Sequence, residues 1–414
     1  MKKTVNHILV AGLLALLSLA SCTDEFIEGN YLQGVDRDKR VEVRLPFGVG
    51  RGITTTITTR AAGGEIDYDS QLSGVMAFVY EAKSDNPEEN ELLAYHLFSN
   101  PSNKPLEGAT GGWIADNDDP TCGEIKFYVP VGDVYIYLLG NAQSSFLNFF
   151  PGVSGGDALG TQAEFFEKAT PKWNGNIHSV DGYLPLTGMV NNNTGLCHVN
   201  EQGQISYTDE EGKTHILLPD GKHDEDNSFV LKHLMSKITM NIREGKGVKF
   251  TARDYTVRHI PHYVSPTAQA WTEEERDRIL VEDAKPVNFG LLDSLTFTIY
   301  LPENIRKVRS GVEITEYRQR DKVVKTADNK NTEETAPDDF HADNADNHKG
   351  HYKFEFAPKA STYIELTGWF ENADKTVAAD VRYYIHLGNF GKDLNHFSVE
   401  RDHHYTYNVT INGV

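Results

Sequence analysis

Hydrophobic and polar residues alternate with a period of two along much of this chain, beginning at VEVRLPFGV. There Val41, Val43, Leu45, Phe47 and Val49 fall on one face, the signature of a strand buried on one side. A Thr/Gly-rich run with no clear alternation follows and ends in Arg60-Ala61-Ala62-Gly63-Gly64, which reads as a loose leash. LSGVMAFVYE and ELLAYHLF predict an antiparallel pair joined by the acidic loop KSDNPEEN. GEIKFYVPVGDVYIYLLGNA predicts two more strands about Pro130-Val131-Gly132-Asp133, with Phe127, Val129, Val134, Ile136 and Leu138 facing a core. Later strands are read in FVLKHLMSKITMNI, DSLTFTIYLPENI, HYKFEFAPKASTYIELTGWFE, AADVRYYIHLG and HHYTYNVTING.

Helical signals are few. Thr161 with Glu164 forms a capping box that opens a short helix over 161–169, and Thr272 with Glu275 predicts a second at about 273–281. The polar stretch LPDGKHDEDNS reads as a link, so a domain boundary is expected just before Phe229. Residues 319–350 are charged and poor in large apolar groups, which predicts a mobile surface loop. Short strands with polar loops in each half give an all-β reading: two β-sandwiches, over 61–228 and 229–414, with a few short helices.

Composition narrows the function classes. The chain of 414 residues carries a formal charge of -20, which argues against nucleic acid as a partner because phosphate contacts need basic patches. Its N-terminus has Lys2 and Lys3, an apolar run from Ile8 to Leu19, and then Leu19-Ala20-Ser21-Cys22. That arrangement predicts a signal peptide over 1–21 ending in a lipobox, with Cys22 lipidated and the acidic residues 23–28 serving as a surface-export tether. Cys122 and Cys197 either pair or sit as two separately buried thiols.

Candidate chemistry is thin. Gly152-Val153-Ser154-Gly155-Gly156 matches the spacing of a nucleophile elbow but lacks the strand-to-helix setting that motif needs, so no enzyme is expected. Sixteen histidines, with His341, His348 and His351 in one loop and His403-His404 near the end, form no metal-binding spacing and are read as surface residues. The acidic clusters at Asp116–Asp119 and Asp224–Asp226 lack the glycine of a calcium loop, and GVGRGI lacks a dinucleotide fingerprint. No metal and no cofactor are expected. Trp113, Trp173 and Trp369 are read as core residues first and as sugar-stacking platforms second.

In their order along the chain, the lipobox, TTRAAGGEID, FYVPVGDVYIYLLGNA, LPLTG, VLKHLMSKITMNI, YLPENI, STYIELTGWF and HFSVERDHHYTYNVTING resemble the fimbrillin, or type V pilin, family of bacterial surface lipoproteins. The resemblance implies two transthyretin-like sandwiches, an outer-membrane lipid anchor, a place in a cell-surface fimbrium, and other fimbrial subunits as partners. It also implies cleavage after an arginine behind the first strand: Arg60-Ala61 here, with Arg51-Gly52 as second choice. Residues 22–60 would then be a lipidated tether plus a removable strand, Val41 to Val49, replaced by a strand from a neighbouring subunit. Tyr405, Tyr407, Val409 and Ile411 mark a final strand that either donates to a neighbour or closes its own domain. Closure favours a tip, accessory or anchor role over a stalk role. The competing function is a stand-alone surface lipoprotein that binds a glycan or a host protein.

Overall fold

The computed structural model describes residues 39–50, 53–58, 72–102, 106, 109, 111–116, 122–142, 147–148, 160–168, 172–178, 183–190, 194–219, 228–266, 280–291, 295–306, 308, 311–325, 340–341, 351–391 and 393–413. Strands of the first half are β1 (Arg40–Val49), β2 (Ile53–Thr58), β3 (Gly74–Glu81), β4 (Leu92–Ser99), β5 (Trp113–Ala115), β6 (Cys122–Pro130), β7 (Gly132–Gly140), β8 (Leu147–Asn148), β9 (Lys172–Trp173), β10 (Leu186–Gly188), β11 (Leu196–Val199), β12 (Ile205–Thr208), β13 (Thr214–Ile216) and β14 (Phe229–His233). Those of the second half are β15 (Met235–Glu244), β16 (Val248–Arg258), β17 (Ile260–Pro261), β18 (Val281–Glu282), β19 (Val287–Asn288), β20 (Thr296–Pro302), β21 (Val323–Lys325), β22 (Phe340–His341), β23 (His351–Phe354), β24 (Tyr363–Asn372), β25 (Ala378–His386) and β26 (His403–Ile411). The fold is all-β.

In the first half one hydrogen-bonded sheet folds over its own core. The layer β4-β3-β7-β11-β12-β13 faces the layer β14-β1-β6-β5, and β10 pairs with both β7 and β14 to join them. Val75, Ala77 and Val79 of β3 and Val134, Ile136 and Leu138 of β7 pack in the same buried cluster as Val43, Leu45 and Phe47 of β1 and Ile125, Phe127 and Val129 of β6. The expected antiparallel pair of β3 with β4 is present. Although β6 and β7 are consecutive, they lie in different layers; the chain turns between them at Gly132, whose φ of 132° suits glycine alone. The expected helix runs from Gln162 to Lys168, with its capping box formed in both directions between Thr161 and Glu164. It seats Phe165 against Phe78, Tyr80 and Tyr137, which makes a second apolar layer on the sheet's outer side.

The second half is a sandwich of two four-stranded sheets, β2-β26-β15-β20 and β19-β16-β24-β25. Ile238, Ile299, Tyr405 and Tyr407 from one sheet meet Tyr255, Val257, Ile364 and Leu366 from the other. Buried tyrosines need partners for their hydroxyls: that of Tyr407 donates to the Gly388 carbonyl and accepts from the Gly388 amide, both at 2.9 Å. β14 pairs within the first sheet and β15 within the second, with only Leu234 between them. A division before Phe229 therefore cuts β14 from the sheet it belongs to. The joint is pinned by His233, whose amide and Nδ1 both lie within 3.0 Å of Asp402 Oδ1.

Three expectations are corrected. The run after β1 is not a loose leash throughout, because Ile53–Thr58 forms β2. The 319–350 segment does not begin as a surface loop: Arg320 is fully buried, and β21 pairs with β23. Nor do all histidines lie at the surface, since His215, His233, His386 and His404 are buried. The second helix expected at 273–281 lies outside the described residues except at its end, where Val281 is in β18.

The foot of that segment shows how a charge is tolerated inside. The Arg320 guanidinium donates to the carbonyls of Leu394, His396 and Leu387, and its carbon lies 3.8 Å from the Phe397 ring centre and 4.4 Å from that of Phe390. Burial lowers its pKa to about 10, so it stays charged at neutral pH. Next to it Asp321 Oδ1 takes the His386 amide and the His386 Nδ1–H, each at 2.8 Å. His386 Nε2 has no hydrogen-bond partner and the ring packs edge-on against Phe354 and Phe397, so a proton there would be a buried donor without an acceptor.

Burial accordingly pulls the His386 pKa down, against a partial opposing pull from Asp321. With a folded pKa below the unfolded value of about 6.5, the unfolded chain takes up the proton first, and stability falls as pH drops through that region. His178 and His259 are lowered by burial and act in the same direction. Thermal unfolding between neutral and mildly acidic pH is expected to show a falling Tm in the wild type and a shallower fall in His386→Gln. Equal slopes in the two proteins would contradict this account.

Candidate functional site

The alternation that first marked residues 41–49 has a direct physical outcome: β1 lies inside its sheet, paired on both edges. Along one edge it runs antiparallel to β6 from Arg40 opposite Pro130 to Gly48 opposite Cys122. Along the other, its end runs parallel to β14, with Phe47, Gly48 and Val49 opposite Phe229, Val230 and Leu231. The Gly50 amide extends that edge by donating to the Leu231 carbonyl at 2.8 Å.

Side chains lock the strand from both faces. Val43, Leu45 and Phe47 are fully buried, and Val41 and Val49 pack partly buried against the same cluster. Full burial of three such groups contributes on the order of 5–9 kcal/mol, an upper estimate that assumes an extended unfolded chain. The Phe47 ring meets the Trp113 ring edge-on, with centroids 4.9 Å apart and planes at 87°. On the opposite side Arg44 pairs with Glu124, Nη2 to Oε2 at 2.6 Å, where Glu124 is almost entirely buried. Over the first half of β1 lies the β11–β12 turn. At Gly203, φ 75°, an added Cβ would come within 2.2 Å of the Glu42 carbonyl oxygen, so only glycine lets the turn approach this closely.

The next element crosses to the other half of the molecule. β2 runs parallel to β26, Ile53 opposite His403 through Thr58 opposite Asn408, and forms the edge of that sheet. A segment of about twenty residues, Arg40–Thr58, thus completes a sheet in each sandwich. Alternation could not reveal β2, yet Ile53–Thr58 consists entirely of Ile and Thr, a β-branched run that favours extended backbone.

Tyr405, Tyr407, Val409 and Ile411 are buried in β26, which lies between β2 and β15. In the single chain this strand is paired along both edges within its own sandwich. Cys122 and Cys197 are both buried and form no disulfide with each other, and burial pushes the Cys197 thiol pKa up. Trp173 is buried, Trp113 is half-buried and Trp369 is exposed. No group of three or more His, Cys, Asp or Glu side chains among the described residues is placed to hold a metal ion. Cys22, Arg51, Gly52, Arg60, Ala61, the Gly152–Gly156 motif and the Asp224–Asp226 cluster lie outside the described residues, and Asp116 is the only described end of its cluster.

Comparison with known proteins gives remote likenesses. Residues 299–409 match a family model described as a domain of unknown function, DUF4906. No curated protein matches the chain. Among solved structures, the chain is similar to the tip fimbrial protein Mfa3 from Porphyromonas gingivalis, solved with a C-terminal truncation, at 13% identity and a TM-score of 0.45, over 90% of this chain and 96% of that one. It is also similar to a candidate cell adhesion protein from Bacteroides eggerthii, at 10% identity and a TM-score of 0.41, over 93% and 89% of the two chains. A candidate adhesin from Bacteroides ovatus shows 7% identity and a TM-score of 0.30, over 83% and 77%.

Phe47 is where the packing of β1 can be measured. Phe47→Ala removes a fully buried ring from the centre of the sheet and is expected to cost about 3–5 kcal/mol in chemical denaturation. Glu42→Ala, on the exposed side of the same strand, is expected to change stability by no more than about 0.5 kcal/mol. Similar small effects at both positions would show that β1 is not held as described.

Proposed function

We propose that this chain is a non-catalytic subunit of a bacterial surface fimbria that serves cell adhesion, made as an outer-membrane lipoprotein at Cys22 and prepared for assembly by cleavage at Arg60-Ala61. The observation that carries the reading is the position of β1. A strand near the start of the chain sits in the interior of a sheet, paired on both edges, and is followed closely by the arginine that the fimbrillin resemblance marks as scissile. Its loss would leave the edges of β6 and β14 unpaired above an apolar trough lined by Ile125, Phe127 and Phe229. An incoming strand restores main-chain hydrogen bonds and side-chain burial together, which is the chemistry of β-strand addition.

Cleavage at Arg60 would release β2 along with β1 and bare the edge of β26 as well. A cut at Arg51-Gly52 would release β1 alone and leave β2 in place. The two sites therefore make subunits with different open edges. Because β26 is already committed to its own sheet, the described residues hold no spare strand for a neighbour. That supports a subunit that accepts without donating, at a tip, accessory or anchor position, over a stalk subunit.

Protein recovered from the cell surface is expected to begin at Ala61 and to run as a ladder on mildly heated gels. Arg60→Ala is expected to leave the lipidated full-length chain as a monomer. A wild-type chain that keeps its lipid and remains monomeric would overturn the assembly reading and favour a stand-alone binding lipoprotein.

A further inference from the structure

The outer face of β19-β16-β24-β25 presents an indole in a polar frame. Trp369 lies in the interior strand β24 and is 41% exposed. Its direct cross-strand partners are Thr251 on β16 and Asp380 on β25, and the period of two puts Glu365, Thr367 and Glu371 on its own face of β24. The register of β16 slips between Ala252 and Asp254, so Arg253 is a bulged residue. From there its guanidinium reaches across β24 to Asp380, Nη2 to Oδ1 at 2.5 Å. Farther along, Arg258 and Arg382 both bond Glu365 at 3.1 Å, and Thr367 Oγ1 donates to Asp254 Oδ1 at 2.8 Å.

These features select a class of ligand. Of the charges beside the indole, Arg253 is paired with Asp380 and Glu371 with Lys375, so these groups offer hydrogen-bonding partners with little net field, which suits a neutral ligand. A peptide that adds as a strand needs a sheet edge, and β24 has none. A protein interface core is depleted of charged residues, whereas this indole is surrounded by them. A pyranose ring meets both requirements: one face is lined by C–H groups that stack on an aromatic ring, and its rim carries hydroxyls that donate and accept.

We propose that this face is a carbohydrate platform, with a neutral pyranose stacked on Trp369 and its hydroxyls bonded to Asp380, Arg253 and Thr251. The bulge at Arg253 then has a purpose: it aims a guanidinium over the neighbouring strand, where it holds the Asp380 carboxylate in place beside the indole. None of these residues belongs to β1 or β2, so the inference stands apart from strand exchange and holds for the uncut chain.

The test is calorimetric titration of the full chain with cellohexaose, chitohexaose, mannohexaose and laminarihexaose. At least one is expected to bind, with affinity reduced at least about tenfold in Trp369→Ala and several-fold in Asp380→Asn, while both variants keep the wild-type unfolding profile. Asp380→Asn is nearly isosteric and surface-exposed, so it keeps the test usable should the tryptophan variant fold poorly. Absence of binding to every sugar at millimolar concentration, or unchanged affinity in Trp369→Ala, would overturn the proposal.

Discussion

Backbone amides and carbonyls removed from water must be paired, and an interior strand satisfies that need for both of its neighbours at once. β1 is such a strand. The antiparallel ladder to β6 and the short parallel ladder to β14 pass through it, and its three fully buried side chains fill the middle of the first core. Without it the layer β14-β1-β6-β5 becomes two fragments separated by a trough one strand wide. Few objects fit that trough, because it requires hydrogen bonds along both edges and apolar groups at every second position.

The same N-terminal segment bears on the second sandwich through β2, the outermost strand beside β26. These two contributions differ in kind. β1 is integral to its sheet, whereas β2 caps an edge of a sandwich whose core is built by β15, β16, β20, β24 and β26. Elsewhere the second half is held by buried polar anchors. Arg320 ties the Tyr317–Lys325 stretch to three carbonyls and two aromatic rings, and Asp402 clamps the β14–β15 joint through His233. Such anchors let polar segments sit on a sandwich without being part of its apolar pattern.

Much of this was legible in the sequence where one physical signal dominated. Period-two alternation marked β1, β6 and β26, while near-continuous apolar runs marked β3 and β7, whose two faces are both buried. The Thr161–Glu164 box marked the helix because its two hydrogen bonds are local. What could not be read was set by distant partners. β2 has β-branched residues but no alternation, and its pairing with β26 spans most of the chain. Arg320 looks like an ordinary loop charge until the Leu387, Leu394 and His396 carbonyls are brought to it from some seventy residues away. His404 reads as a surface residue beside His403, yet it is fully buried with Nε2 3.0 Å from Thr239 Oγ1. The position of the joint after β14 was hidden because FVLKHLMSKITMNI is one continuous apolar pattern that the fold divides at Leu234.

Strand exchange, as proposed, requires that the place of β1 can be emptied and filled again by an equivalent strand. The most direct measurement uses a chain beginning at Ala61 and a synthetic peptide of residues 39–50, followed by amide hydrogen exchange. Saturable uptake of the peptide is expected, with new protection confined to Cys122–Pro130 and Phe229–Leu231, the two stretches that border it. A shortened chain that is already protected in both stretches, and that takes up no peptide, would contradict it.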